Sequence, residues 1–193
     1  RRVELLREIA RLHAERGRNL KQAFWALTRA WTEEAGQGLE REEVLYYDLQ
    51  ELAIQLECWP DLIASLEKVV DGSYDQDLVA RVQGRIADIQ DQWLKDPGAS
   101  IASWRKVIAA REEDAAAWKA LERLLAAQDR PAELVVVLER RAALSQDVPE
   151  QKALLYRAAD LHERVLGDRD QALRVWRDIL ALVPRQNLLR FEL

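Results

Sequence analysis

Two histidines, one cysteine and seven tryptophans are the side chains from which this 193-residue chain could build chemistry. His13 and His162 are of the type that serves as general base or metal ligand. A base needs a nucleophile beside it, however, and the sequence singles out none: there is no serine in a nucleophile elbow, no paired His and Glu at zinc spacing and no glycine-rich phosphate loop. Cys58 stands alone, which rules out an intrachain disulfide and leaves a thiolate zinc site nothing to build from. The tryptophans could form an aromatic cage or a base-stacking platform. The acidic runs Glu40-Arg41-Glu42-Glu43 and Glu112-Glu113-Asp114 could bind a cation or carry acid-base work. Each of these readings has a plainer rival, and the choice depends on the elements that hold the residues.

Composition narrows the field. With 49% apolar and 33% charged residues the chain can bury a sizeable core and lies far from disordered compositions. Seven Gly and five Pro are too few for the many tight turns of a β-sandwich, and Ala, Leu, Glu, Arg and Gln favour helix. A net charge of −5 gives no electrostatic reason to approach phosphate backbones or anionic lipid, so nucleic acid and membrane are not expected partners. No apolar run approaches the roughly 20 residues that a membrane-spanning helix needs. The chain has no Met and begins in what already reads as helix, so we expect a stretch of a longer polypeptide, cytoplasmic in location.

The decisive signal is self-similarity. Trp104 and Trp176 stand 72 residues apart (176 − 104), and the same shift pairs Ala87 with Ala159, Leu94 with Leu166 and Asp96 with Asp168. It also pairs Tyr46 with Trp118, Leu49 with Leu121, Leu62 with Leu134 and Leu66 with Leu138, so two kinds of unit alternate. A shift of 149 (162 − 13) aligns His13 with His162 and Gln22-Ala23 with Gln171-Ala172. Five units result, at about 2–36, 41–73, 76–111, 114–147 and 150–184, each near the ~36-residue scale of helical repeats, with 185–193 starting a further helix.

Within a unit, apolar residues recur at spacings of three and four, as in Trp118, Leu121, Leu124 and Leu125. That periodicity predicts ten helices, about 2–16, 20–34, 42–57, 60–70, 76–95, 98–110, 114–127, 131–144, 150–166 and 169–182, with an eleventh from Gln186. Pro60, Pro97 and Pro131 suit first-turn positions, where a missing amide donor matters least. The β-branched run Leu134–Leu138 tempts a strand assignment, but its register aligns it with helical Leu62–Leu66.

The pattern resembles a degenerate tetratricopeptide repeat: Trp118, Leu121 and Leu125 on a first helix with Leu134 and Leu138 on a second, then Leu155, Ala158-Ala159 and His162 followed by Ala172, Trp176, Ile179 and Pro184, with one extra residue in the turn. Helical repeats of other families, including the crooked-neck type with its tryptophans, stay open as alternatives. Glu122, Leu134 and Arg141 depart from the small residues usual at their positions, which implies looser packing there. The resemblance implies an all-α, right-handed solenoid of about five hairpins, part of a longer bacterial repeat protein and without catalysis of its own. Short hairpins that cannot bury their stripes alone would share one core.

That frame decides the rivals. His13 and His162 occupy the place where the family packs Tyr, so both are expected to be packed or half-buried, and they fall too far apart to share a metal. Trp104, Trp118 and Trp176 fall on core positions, while Trp59 is the tryptophan expected to be most exposed. The acidic runs are expected to cap helix starts. Neither metal nor cofactor is expected. The resemblance puts function on the inner face of the first helices, where Arg7, Arg11, Tyr47, Glu51, Asp88, Gln92, Lys119, Arg123, Tyr156, Asp160 and Arg164 adjoin the packing stripe. Their alternating signs suit a mixed-charge peptide or helix of another protein. Lys119 with Arg123 lacks the Asn of a chaperone-type carboxylate clamp. The alternatives are a structural spacer or self-assembly segment of a very long repeat protein, and a regulatory region attached to an enzyme domain elsewhere.

Overall fold

A computed structural model describes residues 1–17 and 19–182, so the expected eleventh helix and the break at Pro184 lie outside the described residues. Among the described residues there are ten α-helices and no strand: α1 Arg2–Glu15, α2 Leu20–Glu34, α3 Leu39–Leu56, α4 Trp59–Val70, α5 Gln76–Gln92, α6 Pro97–Ala110, α7 Ala115–Ala127, α8 Pro131–Leu144, α9 Val148–Asp160 and α10 Arg169–Ala181. The all-α expectation stands, and consecutive helices pack against one another from α1 to α6 and from α7 to α10. The Leu134–Leu138 run is helical, inside α8.

The helix ends repeat in the register read from the sequence. In the first, third and fifth hairpins the first helix closes with Gly17, Leu94 and Leu166 donating to the carbonyls of Leu12, Ile89 and Leu161. The residue two further on then donates to the next carbonyl: Asn19 to His13 at 2.9 Å, Asp96 to Gln90 at 2.8 Å and Asp168 to His162 at 2.8 Å. The same three residues open the second helix, their side-chain oxygens accepting the amides of Gln22, Ala99 and Gln171. One residue thus ends one helix and starts the next.

The second and fourth hairpins turn differently. Cys58 and Arg130 donate to Ala53 and Leu125 across a left-handed Glu57 or Asp129, and a proline in the first turn, Pro60 or Pro131, starts the next helix without a side-chain cap. The two kinds of unit seen in the sequence are therefore two kinds of turn. In the fifth unit, where one extra residue was expected in the turn, the first helix ends in a π-helical turn, Leu161–Val165.

The chain divides into two compact units, Arg1–Glu112 and Glu113–Leu193. The core of the first includes Leu6, Leu27, Trp31, Leu49, Leu62, Leu66 and Ile86. In the second, Leu121, Leu125, Leu138, Ala158, Val175 and Ile179 are buried. These are the stripe residues that the periodicity marks as apolar and inward.

The tryptophans require a correction. Trp59 is only 8% exposed, because it opens α4 and stacks on Trp93 with ring centroids 4.4 Å apart. Sequence placed it in a turn, but the turn lies beneath the end of α5. The exposed tryptophans are Trp25, at 55%, and Trp93, at 43%, whereas Trp31 is fully buried. Trp104, Trp118 and Trp176 are half-buried.

Candidate functional site

All eleven first-helix candidates have exposed side chains, and the structure gathers some of them. In the first unit a groove of about 740 Å³ runs between α1 and α3, floored by α2. Arg7 and Arg11 from α1 and Glu51 from α3 line it, together with Glu4, Glu8, Glu15, Asp48 and Gln55. Its floor is small and apolar, made of Ala10, Ala14, Ala23, Leu20, Leu27 and Leu52. Arg7 spans the groove to Asp48 at 3.3 Å, and Arg11 turns back along its own helix to Glu8 at 2.7 Å. That hydrogen-bonded pair lowers the Glu8 carboxyl and raises the Arg11 guanidinium from their ordinary values.

Tyr47, Asp88 and Gln92 do not line that groove. Tyr47 is 63% exposed and leans on Tyr46, whose phenol burial pushes up to about 12; the Arg85 guanidinium, 4.3 Å from the Tyr46 ring, opposes that rise and Asp88 adds to it.

In the second unit Lys119 lines a smaller cleft of about 430 Å³ between α7, the end of α8 and the start of α9, beside Trp118, Arg141, Ser145 and Glu150. The Ser145 hydroxyl donates to Glu150 at 2.7 Å and holds that carboxyl below its ordinary range, with burial opposing and Arg141 and Lys119 assisting. Arg123, Tyr156, Asp160 and Arg164 stay outside this cleft. Tyr156 packs edge-on against Trp176 at 5.0 Å, and Arg164 pairs with Asp160 at 2.8 Å.

Three charged clusters escape a reading by sequence. Glu42, expected as a capping residue, is fully buried and meets Arg81 and Arg85 at 3.1 Å each. It also accepts the Gly36 amide at 3.3 Å. The i, i+4 spacing of the two arginines hints at a shared anion, but nothing local points to a residue 39 positions upstream. Glu122 and Arg141, expected to loosen the packing as separate misfits, pair with each other; Arg157 adds a second cation to Glu122, and Glu150 a second anion to Arg141 at 3.1 Å. The two larger residues that stand where small ones are usual thus belong to one ion-pair network. His162 is buried with Nε2 3.0 Å from Glu139, which also accepts Arg174 at 2.7 Å; His13 is half-buried.

Among the described residues no group of three or more His, Cys, Asp or Glu is placed to hold a metal ion, and no helix is long and apolar enough to cross a membrane. No protein-family model and no curated protein matches the sequence. Solved structures do resemble it. A crystal structure of MamA is 15% identical, with a TM-score of 0.48 over 99% of this chain and 96% of that one. MamA from Desulfovibrio magneticus RS-1 is 16% identical, with a TM-score of 0.45 over 94% of each chain. A tetratricopeptide repeat protein from Parabacteroides merdae is 12% identical, with a TM-score of 0.48 over 94% of this chain and 80% of its own.

Proposed function

We propose that the chain is a non-catalytic scaffold that holds a peptide or helix of another protein against its first helices. The observation that carries this reading is the α1–α3 groove, where a small apolar floor lies open between rims of charged side chains. An apolar floor gives a partner side chains to bury, and charged rims set its register. The exposed Lys119 and its cleft offer a second contact of the same kind.

The reading is tested by recovering partners from extract on the immobilised chain, then repeating the experiment with Ala14→Trp, which fills the groove, and with Lys119→Glu combined with Arg123→Glu. Loss of a specific partner with helicity unchanged supports it. Recovery of every partner by both variants refutes it.

A second reading, self-association, draws on one observation. Leu5, Ile9 and Leu12 form an exposed apolar stripe on α1 at helical spacing. Light scattering decides it: concentration-dependent mass that Leu5→Glu with Ile9→Glu abolishes supports assembly, and a constant monomer mass refutes it.

A further inference from the structure

The groove between α1 and α3 is charged more one-sidedly than its arginines suggest. Five carboxylates line it, from Glu4, Glu8, Glu15, Asp48 and Glu51, against the two guanidiniums of Arg7 and Arg11. Both guanidiniums already have partners inside the groove: Asp48 for Arg7, and Glu8 with the more distant Glu15 for Arg11. The arginines therefore neutralise rim carboxylates instead of presenting positive charge outward. Glu51 forms no ion pair among the described residues and sits on the opposite rim from Glu15.

We infer that the groove takes a basic segment of a partner protein, lysine- or arginine-rich, with an apolar side chain seated on Ala10, Ala14 and Ala23. This rests on the reading of the groove as a docking site and names what docks there. The sequence suggested a mixed-charge peptide because the first-helix residues adjoining the packing stripe alternate in sign; that selection left out Glu4, Glu8, Glu15 and Asp48, which also line the groove. With five carboxylates against two guanidiniums and Glu51 unpaired among the described residues, an acidic partner would meet a net excess of negative charge along the groove, a repulsive arrangement. A basic partner gains attraction on both rims and covers the alanines. Its binding weakens as salt rises, because the rims are exposed to solvent.

The test uses the full chain and two labelled synthetic peptides that alternate leucine with lysine or leucine with glutamate, read by fluorescence anisotropy. We expect the lysine peptide to bind, with affinity falling about tenfold or more in Glu15→Lys with Glu51→Lys. The same charge change outside the groove, Glu40→Lys with Glu163→Lys, should leave affinity within about twofold. Ala14→Trp should abolish binding, and circular dichroism confirms that each variant is folded. Equal losses in the groove variant and the outside control overturn the proposal, because attraction to the net negative charge would then suffice. Binding of the glutamate peptide, blocked by Ala14→Trp, overturns the basic partner but keeps the docking site. If neither peptide shows binding that Ala14→Trp abolishes, both the basic partner and the docking site are refuted.

Discussion

Glu42 is concealed by its sequence neighbours. In the run Glu40-Arg41-Glu42-Glu43 it resembles a dipole-stabilising residue at a helix start, yet it is the one that points inward, onto Arg81 and Arg85. A carboxylate removed from water keeps its place only through such partners, and removing one side of a buried pair leaves the other uncompensated. Glu42→Ala is expected to lower stability by about 3–5 kcal/mol in equilibrium urea unfolding, whereas exposed Glu40→Ala should change it by under ~0.5 kcal/mol. Arg85 also lies over Tyr46, whose buried phenol is raised to about 12 while the unfolded chain ionises near ~10. The unfolded state releases its proton first. The stabilisation is therefore intact below pH ~10 and is lost as pH climbs towards about 12. The melting temperature should fall more steeply across that window in the wild type than in Tyr46→Phe; parallel slopes would show that the phenol is not shifted.

Elements were legible where the sequence repeats itself and obscure where a residue answers to something distant. The 72-residue shift that aligned Asp96 with Asp168 marked a shared turn, because the same residue closes one helix and caps the next in both places. Helix number and order followed from apolar spacing. Boundaries moved where turn geometry decides them: α3 starts at Leu39, directly after the Gly36-Gln37-Gly38 break, and α5 ends at Gln92, releasing Trp93 to stack on Trp59. The Glu122–Arg141 pair was hidden because each residue looked like a separate departure from a pattern. Two substitutions at one turn test this account. Asp96→Ala removes the α6 cap and should cost about 1 kcal/mol. Lys95→Gly relieves a left-handed residue at φ 54° and should stabilise by a few tenths to ~1 kcal/mol, the gain reduced by greater freedom in the unfolded chain. Thermal midpoints moving in opposite directions would confirm both roles.

For the molecule, the question is how few hairpins suffice. In helical arrays each repeat gains its stability from its neighbours, so the answer depends on which contacts a truncation cuts. The first unit supplies its own core, from Leu6 on α1 to Ile89 on α5, with Ile101 and Val107 buried on α6. A fragment of residues 1–112 is therefore expected to keep its helical circular dichroism and to melt cooperatively. A fragment of residues 1–73 is a sharper test. It retains two complete hairpins and the residues of the α1–α3 groove, but it loses Arg81 and Arg85 and so strands the Glu42 carboxylate, and it uncovers the face of α4 that packs on α5. Apolar stripes alone would make it merely a shorter array with a proportionately lower melting temperature. If the buried charge governs, it should unfold outright at neutral pH, and Glu42→Leu within the fragment should restore much of its helicity by removing the orphaned charge. A 1–73 fragment as helical per residue as 1–112 would show that the ion pairs on α5 contribute little to holding the first two hairpins together.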